Sequence, residues 1–222
     1  DWSKFTNLRS LQMHVRPNDE QDILKVFQHC PQIVNLDLSD SPLTDDLLIK
    51  ISNSLQHLHS LNIEAVERIS KISLIEVAQR HKGSLQALYT KSCESMTSVG
   101  INRVLKECTH LRTLSCSPFS TIDYSLMNMI TTLIIDMPYG PDVCRTIPVN
   151  CPGVVSLYIV FPDDAVGERV DDVIYLASKF PKLRTLFVDD YSGKIAAAMD
   201  VRRPRVLVVD DEPDGGWYNL FN

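Results

Sequence analysis

Ile33-Val34-Asn35-Leu36-Asp37-Leu38 returns 25 residues later as Leu58-His59-Ser60-Leu61-Asn62-Ile63, and 27 after that as Leu85-Gln86-Ala87-Leu88-Tyr89-Thr90. The shared phrase, Leu-x-x-Leu-x-Leu with aliphatic replacements, recurs nine times in 222 residues, with first positions at Leu8, Ile33, Leu58, Leu85, Leu111, Ile130, Val154, Leu183 and Pro204. Its last two apolar positions alternate with variable residues, which is the period of a short strand with one face buried. Between copies the spacing becomes helical, as in Leu47, Leu48, Ile51 and Leu55. Each unit therefore reads as strand, turn and helix. No unit can cover its own apolar strand face alone, so neighbours must stack with their strands parallel.

Steps of 25, 25, 27, 26, 19, 24, 29 and 21 residues are those of leucine-rich repeats. The expected fold is an α/β solenoid of about nine repeats, curved into a horseshoe with a parallel sheet on the concave face and helices on the convex face. Residues 1–213 form the solenoid as one domain, and residues 214–222 form an aromatic tail or cap. Asp1 opens in mid-pattern and without Met, which points to a fragment with further chain upstream.

Composition narrows the function classes. With 44% hydrophobic and 23% charged residues the chain is ordinary for a globular protein. No stretch approaches the ~20 apolar residues that span a bilayer, so no membrane role is expected. A net charge of -6 argues against a nucleic-acid partner, whose phosphates call for clustered Lys and Arg. Arg202-Arg203-Pro204-Arg205 is too short an exception.

Six cysteines could form a disulfide framework, but Cys30, Cys108 and Cys151 each stand three residues before a strand phrase, where other repeats have Phe5, Leu55 or Phe180. They read as core residues with reduced thiols. No Cys-x-x-Cys pair suggests zinc, and no glycosylation sequon or secretory leader occurs. Cytoplasm or nucleus is the expected location.

Cys30-Pro31-Gln32-Ile33-x-x-Leu36-x-Leu38 with Leu43-Thr44-Asp45, and Leu85-x-x-Leu88 with Cys93, Met96-Thr97, Gly100-Ile101 and Cys108, resemble the cysteine-containing class of leucine-rich repeats. That class is typical of F-box/LRR proteins, the substrate receptors of Skp-cullin-F-box ubiquitin ligases. The resemblance covers residues 30–120 well and later repeats only in the strand phrase. It implies a protein-binding role, with a Skp-type adaptor held by an F-box segment that these residues lack. A scaffold or regulatory subunit unrelated to ubiquitin is the alternative, and a part of an enzyme with its catalytic domain elsewhere is a third. The turn position that usually holds Asn or Cys is filled by Arg16, Ser41, Val66, Phe119, Pro138, Pro162, Tyr191 and Glu212, and only Cys93 conforms. The turn amides must therefore find backbone or water. Thr44, Thr97, Asn18 and Ser192 are expected to cap helices.

Binding is expected on the variable strand positions. One column is small and polar: Ser10, Asn35, Ser60, Ala87, Thr113, Thr132, Ser156, Thr185 and Val206. The middle column runs Gln12, Asp37, Asn62, Tyr89 and Ser115, then Ile134, Tyr158, Phe187 and Val208. The third column includes His14, Glu64, Lys91, Asp136 and Val160. Ile134, Tyr158, Val160, Phe187, Val206 and Val208 would make an exposed apolar strip bordered by acids, with aromatic anchors. If the tail Trp217-Tyr218-Asn219-Leu220-Phe221 folds over the strip, binding shifts to Tyr89, Lys91 and the polar half.

Chemistry-bearing motifs do not survive inspection. Arg205 to Pro213 resembles the first strand of a receiver domain, but only nine residues follow it. Asp210, Glu212 and Asp214 imitate a calcium loop, yet Pro213 intrudes and Phe221 stands where a bidentate Glu is required. The six histidines pair with no nucleophile and carboxylate, and His81 reads as a helix-end cap or filler. No catalytic residues, no metal and no cofactor are expected.

Overall fold

The computed structural model describes residues 2–16, 19–117, 121–136, 141–161, 170–188, 195–197, 199 and 207–209. They divide into two compact stretches, residues 1–112 with 121–123, and residues 113–120 with 124–222.

In the first stretch a 3-10 turn, Trp2–Phe5, leads into β1 (Ser10–Gln12), α1 (Glu20–His29), β2 (Asn35–Asp37), α2 (Asp45–Ser54), β3 (Ser60–Asn62), α3 (Lys71–His81), β4 (Ala87–Tyr89) and α4 (Ser98–Glu107). The strands pair in chain order and in parallel, with Leu11, Leu36, Leu61 and Leu88 in one line. Leu36, Leu61 and Leu88 are fully buried, as are Ile33, Leu38, Ile63 and Leu85. Burial of a leucine is worth about 2 kcal/mol, so this repeated column is the main force that stacks the repeats. The ladder runs on beyond the strands: Leu38 N–H donates to Asn62 O at 2.9 Å and Ile63 N–H to Tyr89 O at 3.0 Å.

Three residues at matching places then turn the chain, Asp40, Ala65 and Ser92, with φ of 54°, 56° and 59°. This left-handed conformation costs about 1–2 kcal/mol in a residue with a Cβ. Inter-repeat bonds hold it, Asp40 N–H to Glu64 O and Ala65 N–H to Lys91 O, each at 3.0 Å.

The helices begin where sequence signals place them, with different caps. Thr44 Oγ1 accepts from Leu47 N–H at 3.3 Å, as expected. Thr97 makes no side-chain cap bond, and its carbonyl instead accepts from Gly100 N–H at 3.0 Å. A Cβ on Gly100 would come within 3.1 Å of the Lys71 backbone, so glycine there lets α4 sit close to α3, and a larger residue would make the helices give by a few tenths of an ångström. Asn18 and Ser192 lie outside the described residues.

In the second stretch are β5 (Thr113–Cys116), a 3-10 turn at Tyr124–Met127, β6 (Thr132–Asp136), α5 (Pro141–Asn150), β7 (Ser156–Val160), α6 (Val170–Lys179), β8 (Thr185–Val188) and β9 (Leu207–Val209). These strands are also parallel and in chain order, with Leu114, Leu133, Leu157 and Leu186 aligned. At β9 the register departs from expectation by one residue: Leu186 pairs with Val208 and Phe187 with Val209. Val206 to Val209 are four aliphatics in a row. Such a run has no alternation to select a register, and a shift of one exchanges the two faces.

The cysteine expectation holds for side chains that are described. Cys30, Cys93, Cys108, Cys116 and Cys151 are free and buried. Burial pushes the thiols of Cys108, Cys116 and Cys151 up to about 12, so they stay protonated and unreactive. Among the described residues, no helix is long and apolar enough to cross a membrane, and no cluster of three His, Cys, Asp or Glu could hold a metal.

Candidate functional site

The variable columns fall in the expected register within each stretch, β1 to β4 and β5 to β8, but they are less open than expected. Tyr89, Ile134 and Tyr158 are 1%, 1% and 2% exposed, so none is the open anchor that its place in the column suggests. Tyr158 is stacked on Phe187, ring centroids 4.0 Å apart and planes at 6°. Their strands pair them directly, and the contact removes one face of each ring from water. Burial raises the Tyr158 phenol to about 12, keeping it neutral. Lys91, Val160, Phe187 and Val208 are half-buried. Val208 is a correction in column as well, because its partner Leu186 belongs to the core line, not to the line of Tyr158 and Phe187. Val206 and the tail, residues 214–222, lie outside the described residues, as do Asp210, Glu212 and Asp214.

Two polar residues of the middle column serve the fold. Asp37 Oδ1 accepts from the Ser39 amide at 2.9 Å and its hydroxyl at 2.8 Å, and Asn62 Oδ1 accepts from the Glu64 amide at 3.0 Å. These local turns answer where the turn amides find partners when the usual Asn or Cys is missing. Ser41 contributes too, since its Oγ accepts from the Val15 amide of the previous repeat at 3.0 Å. Cys93, the one residue that matches the usual pattern, donates from Sγ to Ile63 O at 2.9 Å. The acid Asp45 ties α2 to α3, taking the Ser70 amide at 2.9 Å and the Ser70 and Ser73 hydroxyls at 2.5 Å each. Burial works to raise its pKa, yet those bonds together hold it below the usual value.

What remains open to a partner lies beside the middle column, except at β1 in the first stretch, where the middle residue Gln12 is itself exposed. Ser10 on the same strand and His14 just after it are exposed too, and Asn35, Ala87, Glu64 and Lys91 are half-buried. In the second, Thr132, Ser156 and Thr185 form a half-buried column of small polar groups, with Asp136 and Val160 at the strand ends. Asp136 Oδ2 accepts from Ser117 Oγ at 2.8 Å.

His81 was legible only as a helix-end residue. It is 1% exposed and joins three segments: Nδ1 accepts from Leu58 N–H at 3.3 Å, while Nε2 lies 3.0 Å from Ser52 Oγ and 3.3 Å from Ser52 O. With Nδ1 accepting, Nε2 carries the proton. The ring is a structural tie between α2, the loop that enters β3, and α3.

No protein-family model matches the sequence, and no curated protein matches it. Among solved structures it is similar to the leucine-rich repeat-containing protein LegL7 from Legionella pneumophila, with TM-score 0.57 and 14% identity over 97% of this chain and 89% of that one. It is also similar to a chain of the yeast Rad7 and Elc1 complex, with TM-score 0.54 and 17% identity over 91% of this chain and 62% of that one. A chain of the TLR13–ssRNA13 complex gives TM-score 0.53 and 14% identity over 85% and 27%. The fold is that of leucine-rich repeats. This chain spans less than two thirds of the Rad7–Elc1 and TLR13 chains that it matches.

Proposed function

We propose that this chain recognises a protein along the outer columns of its parallel sheet, as the target-binding repeats of a Skp-cullin-F-box-type ubiquitin ligase receptor. The observation that carries the recognition role is the in-register column of small residues, Ser10, Asn35, Ser60 and Ala87 in one stretch and Thr113, Thr132, Ser156 and Thr185 in the other. Short side chains along successive strands leave room for a partner's side chains, with Glu64 and Lys91 half-buried beside the column in the first stretch and Val160 and Phe187 in the second. The ligase reading draws on the cysteine-containing repeat pattern, whose Cys93 makes the inter-repeat bond to Ile63 O. It also draws on the likeness to a protein found in a two-protein complex, Rad7 with Elc1.

The chain would catalyse nothing itself. It would hold a target while a separate segment docks a Skp-type adaptor, so that lysines of the target sit at high effective concentration. A repeat scaffold unrelated to ubiquitin is the second reading, favoured by Ser41, which fills the turn position with a residue foreign to the cysteine-containing pattern yet bonds the previous repeat. RNA, the ligand in the TLR13 complex, is not proposed here because the net charge is -6.

Affinity capture of the natural full-length protein tests both levels. Recovery of a Skp-type adaptor supports the ligase role, and its absence beside a retained target leaves the scaffold. Lys91→Glu together with Val160→Asp should lose the target without loss of folding by circular dichroism. Unchanged recovery would overturn the sheet-side assignment.

A further inference from the structure

Away from the sheet columns, the first stretch has an open groove of about 600 Å³ lined by Gln56, His57, Arg80, Lys82, Gly83 and Ser84. It lies on the edge where strands begin, between the loop that enters β3 and the loop that enters β4. His57, Arg80 and Lys82 are exposed, and among the described residues none of them is ion-paired. Glu107, the acid on the neighbouring end of α4, is engaged by Arg103 at 3.1 Å. Cations at a helix end commonly answer the helix dipole, about half a charge. Arg80 and Lys82 exceed that at the end of α3, and His57 is added from the loop between α2 and β3.

Hydrogen bonds bias the groove further toward donors. Arg9 Nη1 donates to Gln32 Oε1 at 3.2 Å, and Gln32 Nε2 donates to Gln56 Oε1 at 2.8 Å. With its oxygen occupied, Gln56 presents its amide N–H groups. Gly83 has nothing within 4 Å of a would-be Cβ, so a ligand can approach its backbone. A guanidinium, an ammonium, an imidazole and an amide thus converge on one hollow with no carboxylate in its lining. That set accepts carboxylates, with Arg80 able to take one by two parallel bonds.

We propose that this groove docks an acidic, Asp/Glu-rich segment of a partner protein, at a site separate from the sheet columns. In a chain of net charge -6 such a basic hollow would orient an acidic partner that the rest of the surface repels.

The test is fluorescence anisotropy of the full chain with a labelled peptide of alternating glutamate and serine, at low salt. Binding should weaken about tenfold in Arg80→Glu/Lys82→Glu, and fall as salt is raised beyond the Debye regime. Lys71→Glu, which reverses an exposed charge at the other end of α3, should leave it unchanged. Equal binding by the double variant, no binding at low salt, or tighter binding of a single-stranded RNA of matched charge would each overturn the proposal. Thermal unfolding of the variants, expected at the parent temperature, separates loss of site from loss of fold.

Discussion

β2 and β3 stop after three residues, whereas β6 and β7 run for five. The leucines that face the core are equivalent in all four strands, so the difference lies in the middle column. Asp37 and Asn62 fold back on amides two residues on, which removes those amides from the strand and starts the turn. Ile134 and Tyr158 have no carboxylate or amide oxygen of the Asp or Asn kind; β-branched and aromatic side chains favour extended backbone, and the ladder continues to Asp136 and Val160. Tyr89 shows that the rule has a second arm. Its strand is also three residues long, and there the turn is held by Ser92 in the left-handed region and by Cys93 Sγ on Ile63 O. One column thus chooses between ending a strand and extending it, and it is buried either way: Asp37, Asn62 and Tyr89 are covered as fully as Ile134 and Tyr158.

The largest effect should come from forcing the first pattern onto the second. Ile134→Asp places a carboxylate at a site 1% exposed and should cost about 4 kcal/mol or more, read by urea unfolding. A loss under about 1 kcal/mol would mean that the middle column of β6 is open after all.

Acid should weaken the first stretch through His81. Burial first, with Arg80 and His57 adding to it against the Ser52 carbonyl, lowers its pKa from 6.5 to about 4. The unfolded chain then binds more protons than the folded one between those values, so the contribution is complete above 6.5 and drains away as the pH falls to about 4. The loss is on the order of 3 kcal/mol. His81→Gln should flatten this segment of the pH profile, and an unchanged slope would remove His81 as its source.

Asp37→Ala should cost about 1–2 kcal/mol, because two donors of Ser39 lose their partner. Hydrogen exchange at the Ser39 amide should rise with it. Smallest is Ala65→Gly: relief of the left-handed backbone at φ 56° is set against the added freedom of unfolded glycine, leaving a gain of up to about 1 kcal/mol. A destabilised variant would show that the inter-repeat bond to Lys91 O, not the residue, sets that turn.

The strand phrase made the repeat architecture legible because period-two burial needs only residue type, and Leu11 to Leu186 fall where it puts them. Register at β9 was not legible, since Val206 to Val209 satisfy either face. At the candidate site the columns of the sheet were legible within each stretch from β1 to β8, but their exposure was not. Side-chain type shows that Tyr158 and Ile134 are apolar, but not that they are covered, and Asp37 and Asn62 look like ligand contacts until their amide partners are seen. His81 and the groove at Arg80 and Lys82 join residues from loops two dozen positions apart, which no local pattern displays.

The account turns on which side of the repeats a protein partner occupies. Site-specific photocrosslinking in cells, with the reactive group at position 91 or 160 on the sheet side and at position 72 on the exposed face of α3, measures this directly. Crosslinks to a common partner from 91 and 160 and none from 72 are predicted. The reverse, a partner captured from 72 alone, would contradict recognition by the sheet.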